Sequence, residues 1–296
     1  MPSLFQTRRQ FLRAVAATGI AGVAAIAIDG VVLEPNVPRI VRRELALRRW
    51  PGALNGFTIA LLSDFHYDRN FSIHPLEAAI GMVGTLKPDL IALAGDFVSM
   101  PFLASNDEKA ASFAEPCARL LAKMNAAEGL WAVMGNHDFL TDARTVTHAL
   151  EAQGITVLAN RSVGISRQGA RFWLGGVNDV LSRTADLEQT ILGIPEDEAT
   201  ILLAHEPDYA DVVTQFPVDL QLSGHSHGGQ VRLPLMPPLY LPDMAKKYFL
   251  GLYQLGALTL YTNAGLGTVG VPVRLNCPPE ITLLTLHRQE PLGEAE

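Results

Sequence analysis

The sequence is poor in cysteine and in charge, and it contains no internal repeat or low-complexity segment. Its two cysteines, Cys117 and Cys277, belong to no CxxC or Cys/His cluster, which excludes a disulfide-rich scaffold and a zinc finger. Charged residues make up only 18% and hydrophobic residues 48%, which excludes a disordered chain. No glycine- and serine-rich linker divides the sequence, so one main domain is expected. The two cysteines could form one disulfide in an oxidising compartment or could be separate core residues.

Charge is unevenly divided between a short basic start and an acidic remainder. The first 28 residues contain three arginines and no acidic residue. Because the whole chain carries a net charge of −7, the remainder carries −10 once these three positive charges are removed. An acidic surface repels phosphate backbones, so we expect no nucleic-acid partner.

Residues 1–28 have the pattern of an export signal. Arg8 and Arg9 precede Phe11-Leu12, and an apolar run rich in Ala and Gly follows from 14 to 28. The pattern resembles the twin-arginine signal, which implies the twin-arginine export machinery as a partner and a periplasmic or cell-envelope location. The 15-residue apolar run is short for a bilayer core, which needs about 20 residues. The segment could be cleaved, could remain as a membrane anchor, or could be a basic helix of a cytoplasmic protein.

Residues 29–50 are interpreted as a bridging segment between this start and the main domain. Prolines interrupt its first part, and an arginine-rich strand is expected from 40 to 47. These charges favour an edge strand of a sheet over a lipid-binding patch. Residues 291–296 are assigned as a C-terminal tail.

Residues 51–290 alternate between strand-like and helix-like segments, which predicts one α/β domain. The apolar runs are typical of strands buried on both faces. After His227 the strand-like runs have few helices between them. The predicted strands are 57–62, 89–94, 130–134, 156–159, 171–174, 200–204, 219–222, 228–233, 257–262 and 280–286, and the predicted helices are 75–86, 107–126, 141–153, 184–192 and 207–215.

Most of the side chains that could bind a metal ion come directly after a predicted strand. Successive strands can therefore aim them at a common point along one edge of a sheet. Glycines beside these residues allow tight turns and close approach of the backbone. The motifs are Asp64-Phe65-His66, Gly95-Asp96, Gly135-Asn136-His137-Asp138 and Gly224-His225-Ser226-His227, with His205 between the last two.

The residue types in these motifs suit a site for two divalent cations. Carboxylate and imidazole groups bind Mn, Fe or Zn. A carboxylate such as Asp96 can bridge two cations, and the amide oxygen of Asn136 adds a ligand without adding charge. One residue separates Asp64 from His66, and the same spacing recurs at 225 and 227, so each pair is expected to point to one side of an extended strand end.

Together these motifs resemble the calcineurin-like metallophosphoesterases. The resemblance runs from about Phe57 to Leu286, and the basic start suggests the exported bacterial branch of that family. It implies a four-layer α/β/β/α sandwich with two central mixed β-sheets. It also implies two divalent metal ions, whose identity among Mn, Fe and Zn the ligands do not specify.

The resemblance assigns a role to each candidate residue. His137 is implied to donate a proton to the phosphate or the leaving oxygen, and Asp138 is implied to orient His137. Asp96 is implied to be shared between the two metal ions. The first ion would be held by Asp64, His66, Asp96 and His227, and the second by Asp96, Asn136, His205 and His225.

These expectations predict a metal-dependent phosphoesterase, acting through metal-activated hydroxide. The favoured substrates are lipid-like or sugar-nucleotide-lipid phosphodiesters at the cell envelope. The alternatives are a phosphomonoesterase or nucleotide phosphatase, a hydrolase similar to UDP-2,3-diacylglucosamine pyrophosphatase, and a metal-stabilised binding protein without catalysis.

Residues 233–242 form an unusual segment, with four prolines among large apolar residues. The segment could be a covering loop packed on the domain. It could instead be an apolar rim near the metal site that receives acyl chains or contacts a membrane surface.

Overall fold

The computed structural model describes residues 7–99 and 110–290, which form an α/β fold with two six-stranded sheets. The strands run in the order of the chain and are named from β1 to β12. They are β1 Arg39–Leu47, β2 Phe57–Leu62, β3 Leu90–Leu93, β4 Leu130–Ala132, β5 Thr156–Val157, β6 Arg161–Arg167, β7 Ala170–Gly176, β8 Thr200–Leu203, β9 Leu220–Ser223, β10 Gly251–Leu255, β11 Leu258–Thr262 and β12 Glu280–Arg288.

Seven α-helices are described over the same residues. The first stands apart from the domain, and the others accompany the sheets. They are α1 Arg8–Ile28, α2 Ile73–Leu86, α3 Ala114–Leu121, α4 Asn136–Thr141, α5 Ala143–Glu151, α6 Leu187–Ile191 and α7 Ala210–Val213.

Both sheets are mixed, as expected. The first has the order β1-β12-β2-β3-β4-β5, in which only the β12–β2 pair is antiparallel. The second has the order β10-β11-β9-β8-β7-β6, with antiparallel pairs at its two ends and parallel strands between them. The parallel strands β2, β3 and β4 of one sheet and β8, β9 and β11 of the other carry the loops that form the site.

Three apolar clusters separate four layers. The central cluster lies between the sheets and includes Trp50, Phe57 and Phe172, whose rings lie 5.0 to 5.8 Å apart between centroids. A second cluster packs α2, α3 and α5 against the outer face of the first sheet. A third packs α6 and α7 against the second sheet. The α/β/β/α order predicted from the resemblance is confirmed.

Helix α1 projects from this sandwich, and none of its residues is buried. It continues through short π and 3₁₀ turns to Asn36 before β1 begins. By length and composition this is one helix able to cross a membrane, and a signal sequence has the same features. The basic strand β1 lies at the edge of the first sheet, as expected.

Several predicted elements differ from the structure. Of the helix predicted over 107–126, residues 110–111 and Ala114–Leu121 are helical, and residues 107–109 lie outside the described part. The helix predicted over 141–153 is α5, Ala143–Glu151, which begins after Asp142 because Asp142 is not helical and its carboxylate accepts the Thr145 N–H. Helix α4, which precedes it, was not predicted. Strands β6 and β10 were not predicted.

The strand predicted over 228–233 is wrong. Gly228 and Gly229 both have positive φ and form a 3₁₀ turn after His227, so the backbone cannot extend there. Within the described residues, Val231 makes only an isolated bridge to Leu275 in this range.

Both cysteines are buried free thiols, so the disulfide alternative is wrong. The Cys117 thiol faces the Phe97 carbonyl at 3.6 Å, and the Cys277 thiol donates to the His227 carbonyl at 3.1 Å. Each is therefore a separate buried residue, as the second interpretation expected.

Candidate metal centre

The loops after five parallel strands meet at one edge of the sandwich. In the first sheet, Leu62 pairs with Leu93 and Leu93 pairs with Ala132, so β2, β3 and β4 end at the same level. In the second sheet, Leu203 pairs with Leu222, so β8 and β9 also end together. The predicted site residues follow these strands, and the structure brings all nine of them to this edge.

Hydrogen bonds join the two sheets at this edge. The ring Nδ1 of His205 lies 2.6 Å from the Ala94 carbonyl, and the His225 N–H donates to Asp64 Oδ1 at 2.9 Å. Within the first sheet, the Asp64 N–H donates to the Gly95 carbonyl at 2.9 Å. The loops of the site are therefore fixed across the sandwich as well as along each sheet.

Five candidate ligands adopt the left-handed backbone region. This is uncommon for residues other than glycine and costs on the order of 1–3 kcal/mol each. The prediction that these residues lie at extended strand ends is wrong, because they lie beyond the last paired residue of each strand. The five are Asp64 (φ 52°), His66 (φ 40°), Asp96 (φ 57°), His225 (φ 68°) and His227 (φ 51°).

Asp96 occupies the middle of the cluster. Its Oδ2 lies 3.2 Å from Nε2 of His205 and 3.5 Å from Nε2 of His66. Its Oδ1 accepts the His137 N–H at 2.9 Å. One carboxylate oxygen thus stands between histidines of the two predicted ligand sets, which is the placement a bridging ligand requires.

Possible ligand atoms converge in two groups, and Asp96 belongs to the second of them. Donor atoms of Asp64, His66 and His227 lie within 4.8 Å of one another, and the same holds for Asp96, His205 and His225. The Nε2 atoms of His66 and His227 face each other at 2.9 Å. These groups correspond to three members of each predicted ligand set.

Asn136 completes the second set with a neutral oxygen. It is the first residue of α4, and its Oδ1 is buried without a hydrogen-bond partner among the described residues. A buried amide oxygen normally has a partner. An oxygen without one, beside carboxylate and imidazole groups, fits a divalent cation, so the residues present suit the two metal ions that the resemblance implies.

Carbonyl groups fix the orientation of two ligand rings. His205 Nδ1 faces the Ala94 carbonyl, which leaves Nε2 toward Asp96. His225 Nε2 lies 2.8 Å from the Asp243 carbonyl, which leaves Nδ1 free to face the site. A carbonyl on the second ring nitrogen sets the tautomer of a metal-binding histidine and strengthens its ligand nitrogen.

Burial keeps most of these rings neutral. It lowers the pKa of His66 to about 3 and of His225 to about 4, and it holds the pKa of His227 well below its usual range. Burial opposes both charges of the Asp96–His205 pair, yet their attraction lowers the pKa of Asp96 and raises the pKa of His205. Neutral rings are the form that binds a cation.

His137 lies at the rim of the cluster. It is half-buried, and its ring meets the edge of the His66 ring at 4.9 Å between centroids and an interplanar angle of 89°. A donor atom of His137 also lies within 4.8 Å of donor atoms of His66 and Asp96. The ring is therefore close to both ligand sets and less enclosed than either.

Asp138 makes different contacts from those implied by the resemblance. Its Oδ2 accepts the N–H groups of Asp96 and Gly135, and its Oδ1 accepts those of Phe97 and Val98, all at 2.9 to 3.2 Å. The structure gives its carboxylate no bond to the His137 ring within the described residues. The expected contact is wrong, because the first turn of α4 points this buried side chain inward to the amides after β3 and β4.

A polar network that was not predicted lies behind Asp64. The Ser63 hydroxyl donates to Asp64 Oδ2 at 2.5 Å and also lies 3.0 Å from Oδ1 of Asn263. Asn263 Nδ2 in turn donates to the Thr282 hydroxyl at 2.8 Å. Asn263-Ala264-Gly265 directly follows β11, so a polar residue and a glycine after a strand was the available signal.

A buried arginine holds the loop that covers Asp64. Arg274 is fully buried, and its guanidinium donates five hydrogen bonds to the carbonyls of Ala264, Gly267 and Cys277. The Gly267 N–H donates to the Asp64 carbonyl at 2.7 Å. Arg274 thus fixes the 264–277 loop against the backbone of a candidate ligand.

Comparison with known proteins places this site in a family. The sequence model of the calcineurin-like phosphoesterases matches residues 57–229. The chain is 34% identical over 287 residues to the uncharacterized metallophosphoesterase YkuE of Bacillus subtilis, covering 95% of this chain and 97% of that protein. It is 33% identical over 292 residues to the phosphodiesterase YaeI of Escherichia coli, covering 95% and 99%.

A third relative comes from an animal. The chain is 31% identical over 279 residues to the transmembrane protein with metallophosphoesterase domain of Danio rerio, covering 90% of this chain and 61% of that protein. The family uses a centre of two divalent metal ions, and the Asp and His groups around Asp96 can hold them. The chain belongs to the calcineurin-like phosphoesterases and is a metal-dependent phosphoester hydrolase.

Proposed function

We propose that this hydrolase is an exported phosphodiesterase that cleaves lipid-like or sugar-nucleotide-lipid phosphodiesters at the cell envelope. In this proposal, His137 is the catalytic side chain. Asp64, His66, Asp96 and His227 hold one divalent ion. Asp96, Asn136, His205 and His225 hold the other.

The observation that carries the catalytic proposal is the placement of His137 beside Asp96 and His66. Two divalent ions, when bound, lower the pKa of a water molecule and neutralise charge on phosphate oxygens. The hydrogen bond from the His137 N–H to Asp96 Oδ1 fixes the backbone that carries the ring. The half-buried ring is then able to donate a proton to the leaving alkoxide, which general acid catalysis requires.

Two further observations support the finer parts of the proposal. The similarity to YaeI, a protein named as a phosphodiesterase, extends over nearly the whole of both chains and favours diester cleavage. The arginine pair at 8 and 9 lies at the start of the apolar helix α1, as in a twin-arginine signal. An exported hydrolase of this kind meets phosphodiesters of the envelope rather than of the cytoplasm.

Hydrolysis of matched aryl phosphates tests the diester proposal. Chelator-treated protein is reloaded with Mn²⁺, and kcat/KM is measured for a bis-aryl and a mono-aryl phosphate. We expect the diester to be the better substrate and both activities to disappear without metal. Preference for the monoester would overturn the diester proposal in favour of the phosphatase alternative, and no turnover of either would contradict the proposed diesterase and favour the binding-protein alternative.

Separate experiments test the lipid and export parts. Turnover of a sugar-nucleotide lipid with a pyrophosphate bond is compared with turnover of a phospholipid diester. Faster cleavage of the first would favour a hydrolase similar to UDP-2,3-diacylglucosamine pyrophosphatase. For export, Arg8→Lys with Arg9→Lys is expected to retain the protein in the cytoplasm. Equal envelope fractions of the variant and the natural sequence would overturn the signal assignment.

A further inference from the structure

A surface of exposed apolar side chains lies on the loop after the second ligand pair. We define the proline loop as residues 233–242. Pro238, in its middle, packs against Gly229, but the apolar side chains before and after Pro238 are exposed: Leu235 fully, Tyr240 to 72% and Met236 to 56%. The covering-loop interpretation is therefore wrong for these exposed side chains. A loop packed on the domain would bury them, because burial of apolar surface is favourable in water.

The base of α1 is joined to the same face of the domain. The Gly30 carbonyl accepts the Arg274 N–H at 2.9 Å. The Glu34 carboxylate accepts the N–H groups of Asn276 and Cys277. The apolar helix therefore leaves the domain from the segment 274–277, and not from a free linker.

The proline loop starts from the same segment. The Arg232 N–H donates to the Leu275 carbonyl at 2.9 Å, and Asn276 Nδ2 donates to the Arg232 carbonyl at 2.8 Å. Residues 274 to 277 thus hold both the base of α1 and Arg232, the residue that precedes the proline loop.

The metal centre is attached to this segment as well. The Cys277 thiol donates to the carbonyl of the candidate ligand His227, and Arg274 holds the loop against Asp64. Phe71 and Val271 are exposed and add apolar surface. Phe71 lines a small cleft together with Val31 and Pro35 of the helix base. Anchor base, apolar loop and metal centre are therefore neighbours.

We propose that the proline loop docks on a lipid bilayer and holds the metal centre at the membrane surface. The occupant is a bilayer and not a second protein, because the same segment carries the apolar helix that can span one. An apolar loop beside such a helix enters the interface between headgroups and acyl chains. The proposal rests on the proposed function and deepens it, since it favours phosphoesters in lipid headgroups over soluble phosphoesters.

The docking is tested with the full chain reconstituted in phosphatidylethanolamine–phosphatidylglycerol vesicles. Leu235→Cys is labelled with bimane, and the natural cysteines stay unlabelled because both are buried. Leu192→Cys is the matched control. Leu192 is 81% exposed and lies between the end of α6 and the first residue of β8. The first residue of β8 is at the edge of the sheet opposite the metal centre, which follows its last residue.

We expect a blue shift of the label at 235 and quenching by nitroxide-bearing lipids, with neither effect at 192. Labels exposed to water at both positions would overturn the docking. Quenching at both positions would show that the bilayer contact is not confined to the proline loop and would overturn the proposal. Shielding at 235 without quenching by the lipid nitroxide would show a protein contact and would also overturn the proposal.

Activity provides a second measurement. Leu235→Asp with Met236→Asp is expected to lower turnover of a vesicle phosphodiester at least about tenfold, because two apolar side chains lose their burial. Turnover of a soluble bis-aryl phosphate should stay unchanged. Equal loss on both substrates, or no loss on the vesicle substrate, would refute the docking role, whereas absence of bis-aryl turnover in the natural sequence would refute the proposed function instead.

Discussion

Substitution of Gly265 by alanine should move a metal ligand without changing any polar group. A Cβ atom at this position would lie 2.7 Å from Cβ and 3.0 Å from Oδ2 of Asp64. Both distances are below ordinary van der Waals contact, so either the 264–277 loop or Asp64 has to shift. Arg274 fixes the loop through five hydrogen bonds, which makes Asp64 the residue expected to move.

Gly270 offers a matched control for the backbone. Its φ is +72°, against +74° at Gly265, but a Cβ atom there would meet nothing within 4 Å in the described part of the chain. Both alanine variants incur about 1–2 kcal/mol for a left-handed backbone. Only Gly265→Ala adds the cost of overpacking, about 1–3 kcal/mol. The difference in stability between the two variants therefore measures the cost of the steric clash with Asp64.

The assay combines unfolding with metal titration. For a domain of this size, each kcal/mol shifts Tm by about 2–4 °C, so Gly265→Ala should melt several degrees below Gly270→Ala. Its Mn²⁺ affinity should fall by about 10–100-fold, as is typical when support of a metal ligand is lost. Equal Tm and equal Mn²⁺ affinity in the two variants would show that alanine at 265 does not displace Asp64.

Two further substitutions separate proton donation from support of the loops. His137→Ala should keep its metal content and lose about 10²–10⁴-fold in turnover; simultaneous collapse of metal content and turnover would contradict the role of His137. Asp138→Asn leaves one acceptor oxygen for four N–H groups, so it should lower the free energy of unfolding by about 2–6 kcal/mol in urea titration. A stable, metal-loaded but slow Asp138→Asn protein would instead support the orienting role that the resemblance implied.

The strand ends of this site could be predicted from the sequence because the signal is local. Apolar runs such as 57–62 stop at residues that carry carboxylate or imidazole groups, and parallel strands bring such residues to one edge. Strand β6, in contrast, contains Arg161, Ser162 and Ser166, and β10 is half-exposed, so their patterns lack a continuous apolar face. Edge strands of this kind form because they pair with the neighbouring strand of a hairpin, and their own hydrophobic pattern does not reveal them.

The contacts around the ligands depend on residues far apart in the chain. Ser63 meets Asn263 across 200 positions, and Asp138 reaches amides about 40 positions earlier. No local spacing encodes such contacts. The resemblance implied that Asp138 orients His137, whereas the first turn of α4 directs Asp138 to the amides after β3 and β4.

We propose that Asp96 bridges two metal ions, and electron paramagnetic resonance of the Mn²⁺-loaded protein detects such a bridge. Metal-free protein is titrated with Mn²⁺, and the spectrum is recorded at one and at two equivalents. We predict binding of two equivalents and, at the second, the spectrum of a spin-coupled pair, which Asp96→Ala should abolish. Saturation at one equivalent, or two uncoupled six-line signals, would contradict a shared carboxylate between two metal ions.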